Sequence, residues 1–224
     1  MNVTEYDVQD TSSDLVTNQI LEGHSATVIC LAWNEPFQKL VSTDENGLTI
    51  VWGFQDEIWY QEMVNSRNNS YVTDMKWTND GKLICITYDD GTVTVGSVEG
   101  NKLWGLELGI SLRHVEWSAN YSNVIFVSKE NKIQVYDKVG SHIKDVKCCE
   151  IDEISGIHWY DGQQKRNNPS LAIVSVTGQI CLTRNIGHTN SLVVKSGLSD
   201  GICKWSPNGS IIAICGKKQF AFTL

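Results

Sequence analysis

The amino-acid sequence predicts an all-β protein built as a β-propeller with five recognisable blades. The first observation is a period: five of the eight tryptophans follow one another at spacings of 44, 40, 42 and 46 residues, namely Trp33, Trp77, Trp117, Trp159 and Trp205. The second is that each of these tryptophans ends a short run rich in β-branched and apolar residues. A four-stranded repeat of about 40–45 residues is typical of a propeller blade.

Each repeat contains the same strands in the same order. The first strand ends in the tryptophan, as in TVICLAW (27–33), and a turn such as WNEPF (33–37) leads to the second. A third strand follows a polar or glycine-containing turn, as in LTIVW (48–52), and the first four repeats predict a more polar fourth, as in EIWYQEMV (57–64). We expect a disordered N-terminal tail at 1–14 and propeller blades over 15–224, with repeats at about 23–66, 67–108, 109–150, 151–197 and 198–224.

The first strands predict how the blades pack. In VICLAW (28–33) alternate residues point to opposite faces of the sheet, and both sets are apolar. Such a strand is buried on both sides. In a propeller the inner strands lie between two neighbouring blades, which satisfies this pattern. No stretch of the chain shows the periodicity of a helix.

Charge and hydropathy exclude two classes of partner. The chain carries 18 Lys and Arg against 26 Asp and Glu, a net charge of −8. Strong electrostatic binding to nucleic acid or to an anionic membrane requires a basic surface, so we expect neither partner. The longest apolar run is the six residues 28–33, whereas a transmembrane helix needs roughly 20, so we expect no direct membrane insertion. The polar, acidic N-terminus has the pattern of neither a secretory signal nor a transit peptide.

Seven cysteines indicate a reducing compartment, the cytoplasm. Their number is odd and no C-x-x-C occurs, so neither a paired disulfide framework nor a zinc site fits. Cys148 and Cys149 are adjacent and are interpreted as a strand end. We expect the cysteines in apolar strand-like runs to behave as small buried hydrophobic residues: Cys30, Cys85, Cys181 and Cys215.

No pattern of residues predicts an enzyme. His24 could act as a base or a metal ligand, but a structural hydrogen bond within the blade is favoured. The other four histidines lack zinc-binding spacing, and Asp89-Asp90 before a glycine is typical of a hairpin turn. Phosphate-binding and nucleophile motifs are absent from the sequence. The sequence therefore predicts no catalytic residue, no cofactor and no metal.

Candidate partner-binding residues lie on the predicted outer strands and in one insertion. Large aromatic side chains on outer strands can anchor a partner, and they can equally pack against a neighbouring strand. Lys165 and Arg166 lie in the insertion DGQQKRNNP (161–169), which we expect to project from one rim. The aromatic candidates are Trp59, Tyr60 and Trp104.

The first repeat contains Gly23-His24 and ends in Val51-Trp52. These dipeptides match the Gly-His and Trp-Asp marks of WD repeats, except that Gly53 replaces the usual aspartate. The repeat therefore resembles a WD repeat.

In WD repeats a histidine, a serine or threonine, an aspartate and the strand tryptophan form a hydrogen-bonded stack. By this resemblance His24, Ser42 and Trp52 belong to such a stack, with Asn46 where the aspartate is usual.

Longer stretches resemble one family, the 121-type WD-repeat subunit of intraflagellar transport complex A. They are residues 21–52, 89–105 (DDGTVTVGSVEGNKLWG) and 155–162 (SGIHWYDG). A tubby-like WD-repeat protein is similar to the same region, notably at WNEPFQKL (33–40). The resemblance covers about residues 18–216.

This resemblance implies a scaffold that assembles with other complex A subunits. It implies retrograde ciliary transport, cilium assembly, entry of membrane cargo into cilia, and a place in the cytoplasm, the cilium and its basal body. It also favours an incomplete arc of a larger, about seven-bladed propeller. A closed five-bladed ring is the alternative, with a strand from residues 15–24 pairing with the fifth blade. The alternative function is a generic WD-repeat adaptor, such as a ubiquitin-ligase substrate receptor or a peptide reader.

Overall fold

The computed structural model describes residues 19–67, 70–118, 120–146, 152–160, 171–183, 191–206, 209–216 and 220–223. Every regular element in these ranges is a β-strand. Over the same ranges, no helix is present that is long and apolar enough to cross a membrane. The predicted disordered tail at 1–14 lies outside the described residues.

The strands form five antiparallel sheets, which we call blades 1 to 5 in chain order. Blade 1 contains β1 (Val28–Asn34), β2 (Lys39–Asp44), β3 (Leu48–Gln55) and β4 (Ile58–Ser66). Blade 2 contains β5 (Val72–Trp77), β6 (Leu83–Tyr88), β7 (Thr92–Ser97) and β8 (Lys102–Glu107). Blade 3 contains β9 (Leu112–Trp117), β10 (Asn123–Ser128), β11 (Ile133–Asp137) and β12 (His142–Val146).

The last two blades differ from each other in their strand number. Blade 4 contains β13 (Ile154–Trp159), β14 (Leu171–Ser175), β15 (Gln179–Thr183) and β16 (Leu192–Lys195). Blade 5 contains β17 (Ile202–Trp205), β18 (Ile212–Cys215) and β19 (Phe220–Thr223). The prediction of an all-β propeller fold with five blades is confirmed.

Each repeated tryptophan begins a line of three paired residues across its blade, which we call the tryptophan row. Residues paired in register point to the same face of a sheet, so the members of a row share one face. The rows are Trp33–Leu40–Trp52, Trp77–Ile84–Gly96, Trp117–Val124–Tyr136, Trp159–Leu171–Thr183 and Trp205–Ile212–Thr223.

The hydrophobic cores lie between blades, and the tryptophan row of one blade packs against the blade before it. Trp117, Val124 and Tyr136 of blade 3 form one buried cluster with Cys85 and Val95 of blade 2. The same arrangement recurs between blades 3 and 4 and between blades 4 and 5. The period in the sequence is therefore the period of the contacts between blades.

The blades form an open arc within the described residues. The inner strands pack in the order β1, β5, β9, β13 and β17, and no comparable packing between β17 and β1 is found in the ranges given above. The row residue Trp33 of blade 1 is 43% exposed, whereas its counterpart Trp117 in blade 3 is 4% exposed. Residues 19–24 form no strand, so the described part of the strand that was expected from residues 15–24 to close a five-bladed ring is not formed.

The cysteines differ in part from the expectation. Cys85 is buried as expected, but Cys215 is exposed and Cys181 is disulfide-bonded. Cys181 lies in the buried hydrophobic cluster between blades 3 and 4, as expected, and its disulfide bond is a feature that the sequence did not predict.

Candidate partner-binding surfaces

A buried hydrogen-bonded stack holds the segment before β1 against blade 1. Nδ1 of His24 lies 3.0 Å from Oδ2 of Asp44, and Nε2 of His24 lies 2.7 Å from Oγ of Ser42. The indole N–H of Trp52 donates to the same Ser42 oxygen at 2.7 Å. One tautomer satisfies every bond: Ser42 donates to Nε2 of His24, and His24 donates from Nδ1 to Asp44.

The structure places Asp44 in the stack instead of Asn46. The backbone N–H groups of Asn46 and Leu48 both donate to Oδ1 of Asp44 at 3.0 Å, so Asn46 belongs to the turn that the carboxylate organises. Burial alone would raise the pKa of Asp44, but the hydrogen bonds from His24, Leu48 and Asn46 lower the pKa below its usual value. The carboxylate is therefore charged at neutral pH.

The stack contains the residue types of a Ser-His-Asp triad, yet its geometry is structural. Ser42 is only 4% exposed, and its hydroxyl oxygen already accepts the N–H of Trp52. A nucleophile has to reach its substrate, and this hydroxyl is enclosed. The stack therefore fixes the segment before β1 against blade 1.

Asp89 and Asp90 occupy the turn between β6 and β7. Asp89 accepts the hydroxyl of Ser70 at 2.8 Å, and Asp90 forms an ion pair with Arg67 at 2.8 Å. Hydrogen bonds from Thr92 help to lower the pKa of Asp90 against the opposing effect of burial. Both carboxylates stabilise the connection between blades 1 and 2.

Polar side chains on the inner strands connect neighbouring blades. Asp74 in β5 accepts the backbone N–H of Val115 in β9 at 3.0 Å. Nδ1 of His158 in β13 accepts the backbone N–H of Trp205 in β17 at 3.3 Å. These contacts give the buried polar groups near the axis a structural role.

The two inner-strand histidines are neutral at physiological pH. Burial, followed by the cations of Arg113 and Lys76, lowers the pKa of His114 to about 4. Burial, followed by Lys76 and Lys204, lowers the pKa of His158 to about 4. Across the described residues, no three His, Cys, Asp or Glu side chains are grouped as a metal site.

An aromatic cluster lies on the open face of blade 1, and we call it the blade 1 aromatic patch (Trp33, Phe54 and Trp59). The ring centroids of Trp33 and Trp59 are 6.0 Å apart, and those of Phe54 and Trp59 are 4.9 Å apart. Gln19 exchanges two hydrogen bonds of 2.8 Å with the backbone of Trp59. Trp59 is therefore packed into a patch that the sequence did not predict as a unit.

Tyr60 lies on the opposite face of the same outer strand, β4. Its side chain is 44% exposed, and its ring covers Gly53, where an added Cβ would lie only 2.6 Å from Cζ of Tyr60. This contact explains why a glycine stands where WD repeats usually have aspartate. Tyr60 presents a rigidly supported aromatic edge to solvent.

Trp104 contacts the next blade. Its indole N–H donates to the carbonyl oxygen of Lys138 at 2.8 Å, and an added Cβ on Gly140 would lie 3.0 Å from the indole. Trp104 thus joins β8 to the turn after β11. The remaining candidates, Lys165 and Arg166, lie outside the described residues.

Comparison with known proteins finds similarity along nearly the whole chain. A family model described as WDR35/TULP4 N-terminal, a β-propeller, matches residues 2–223. WD repeat-containing protein 35 of Rattus norvegicus is 41% identical over 217 residues, which cover 92% of this chain and 18% of the relative. The human protein of that name is 40% identical, with 93% and 18% covered. Human Tubby-related protein 4 is 27% identical over 242 residues, covering 94% of this chain and 16% of that relative. The chain thus spans less than a fifth of the length of these relatives.

Proposed function

Because this chain belongs to the WDR35/TULP4 N-terminal β-propeller family, we propose that it is a non-enzymatic protein-interaction scaffold of intraflagellar transport complex A. On this proposal its partners are the other complex A subunits, and it corresponds to the 121-type subunit. It serves retrograde ciliary transport, cilium assembly and the entry of membrane cargo. It acts in the cytoplasm, the cilium and the basal body.

The observation that carries the proposal is the exposed outer strand β4. This strand carries Ile58, Tyr60 and Val64, all exposed, and it is held in register by pairing along β3. Exposed apolar side chains on a rigid frame are typical of a docking surface, and aromatic anchors dominate binding energy. β4 is also an edge strand, whose free backbone groups can pair with a partner.

The proposal is tested by affinity purification of the tagged 224-residue chain from ciliated cells. We expect complex A proteins to co-purify with the wild-type chain. Tyr60→Ala should reduce their recovery about tenfold, because a buried aromatic anchor contributes at least ~1.4 kcal/mol. Ile143→Ala is the matched control, since Ile143 is an exposed apolar residue on β12, the outer strand of blade 3.

Two results would contradict the proposal at different levels. Absence of complex A proteins from the wild-type purification, with the chain folded by circular dichroism, would contradict the ciliary scaffold. Equal recovery by the wild type and Tyr60→Ala would place the docking surface away from β4 while leaving the scaffold intact.

A further inference from the structure

One tryptophan row lacks its third side chain. The third position is Trp52 in blade 1 and Tyr136 in blade 3, but it is Gly96 in blade 2. Tyr136 fills the space between blades 2 and 3, where it belongs to a buried cluster. Between blades 1 and 2 the equivalent position belongs to Gly96, which has no side chain to place there.

A cavity of about 380 Å³ lies where this side chain is missing. Val41, Val51 and Met63 line it from blade 1, and Trp77, Ile84 and Gly96 line it from blade 2. It is open to solvent on one side. Its volume is within the range of about 300–1,000 Å³ for ligand pockets, and is more than twice the ~150 Å³ that admits a benzene ring.

The charged residues around this apolar cavity are mainly cations. Lys39, Arg67 and Lys102 line it together with one carboxylate, Glu62. Lys39 is paired with Glu62 at 2.5 Å and Arg67 with Asp90 at 2.8 Å. Lys102 makes no ion pair with any residue that the structure describes. Among the described residues, Lys102 is therefore the lining cation that no ion pair neutralises.

We propose that this cavity binds one aromatic side chain of a partner protein, presented on an acidic, extended peptide segment. The shape argument is the tryptophan row, because an aromatic ring fills the equivalent position in blades 1 and 3. The charge argument is Lys102, whose ammonium group is not neutralised by a described residue and therefore favours carboxylates flanking the ring. The inference rests on the proposed scaffold function and names one site for it.

The probe is a fluorescently labelled five-residue peptide with one tryptophan between two pairs of glutamates, titrated by anisotropy. We expect saturable binding to the 224-residue chain, and binding about tenfold weaker when alanine replaces the tryptophan or lysines replace the glutamates. Gly96→Tyr supplies the missing ring within the chain. It should abolish binding and raise the midpoint of thermal unfolding, because it fills the cavity.

Gly96→Ala is the matched control. Its Cβ would lie 3.4 Å from the Asn101 carbonyl oxygen and 3.8 Å from Cγ2 of Ile84, which are ordinary contacts. This variant should bind like the wild type. Lys102→Glu tests the charge argument at an exposed position and should weaken binding about tenfold. If Gly96→Tyr does not fold, the smaller Gly96→Leu takes its place.

Each outcome decides the proposal. Failure of the wild type to bind the peptide, or unchanged binding by a folded Gly96→Tyr or Gly96→Leu variant, overturns it. Conversion of a dimer to a monomer by either variant in light scattering identifies a second copy as the occupant and also overturns it. Continued co-purification of complex A proteins in those cases leaves the scaffold function standing, so the two failures are distinguishable.

Discussion

At the scale of single residues, Asp44 determines the conformation at the start of the propeller. Its wholly buried carboxylate accepts hydrogen bonds from His24 and from two backbone N–H groups. Asn46, which the sequence suggested for this place, is exposed. A two-residue shift within a turn is below what WD-repeat spacing can specify.

We expect Asp44→Ala to lower the free energy of unfolding by about 3 kcal/mol, because it leaves three partly buried donors without an acceptor. Asn46→Ala, the control in the same turn, should cost less than about 1 kcal/mol. Urea denaturation of both variants measures the difference. Equal costs, or a larger cost for Asn46→Ala, would show that the stack does not depend on Asp44.

A second residue-scale prediction concerns acid pH. The folded protein holds the pKa of His114 at about 4, below the ordinary histidine value of 6.5, mainly through burial. The unfolded chain therefore binds a proton between pH 6.5 and 4 that the folded protein does not bind. This contribution to stability is present above pH 6.5 and is lost as the pH falls towards 4.

The free energy of unfolding of the wild type should fall between pH 6.5 and 4.5. His114→Gln should remove the part of this fall that is due to His114, about 2–3 kcal/mol. The groups facing His114 are Asp74, whose carboxylate lies 3.9 Å away, and the cations of Arg113 and Lys76. Unfolding free energies at several pH values measure the slope. His142→Gln, at an exposed position on β12, is the control, and an identical slope in wild type and His114→Gln would refute the assignment.

At the scale of strands and blades, the tryptophan period predicted the fold because each of these tryptophans begins a row that packs on the blade before it. The third member of a row depends on strand register, which the lengths of the intervening turns determine. In blade 4 the row reaches Thr183 only after the insertion DGQQKRNNP (161–169). The spacing of the tryptophans does not specify strand register. It therefore could not reveal that Gly96 is the third member of the row in blade 2.

Trp104 tests the distinction between a partner-binding role and a packing role within one strand. We expect Trp104→Ala to lower the free energy of unfolding by about 2 kcal/mol, because the indole covers Gly140 and bonds Lys138. Trp104→Phe retains a ring and should lose about 1 kcal/mol. Leu103→Ala, at an exposed position on the same strand, is the control. Unchanged stability in Trp104→Ala would leave partner binding as the better explanation for this residue.

At the scale of the whole molecule, the described blades are stabilised by their neighbours. Each internal blade buries its row against the preceding blade, and polar contacts such as Asp74 to Val115 join the inner strands. In such a repeat architecture, stability is approximately a sum of contacts between adjacent units. Blade 1 is the exception among the described blades, because the row face that carries Trp33 packs against no blade.

This open face predicts that the isolated 224-residue chain self-associates. Leu31 and Trp33 lie on it and are 62% and 43% exposed, a larger apolar exposure than terminal repeats of soluble arrays usually tolerate. We expect light scattering to show species above 25.0 kDa whose proportion rises with concentration.

The double variant Leu31→Lys and Trp33→Lys should shift the mass towards the monomer, because burying four lysines across a symmetric contact is unfavourable. Tyr60→Lys, on the opposite face of blade 1, is the control and should leave the association unchanged. A wild-type chain that is monodisperse and monomeric at all concentrations would show that the face is covered in solution, and would contradict the open arc.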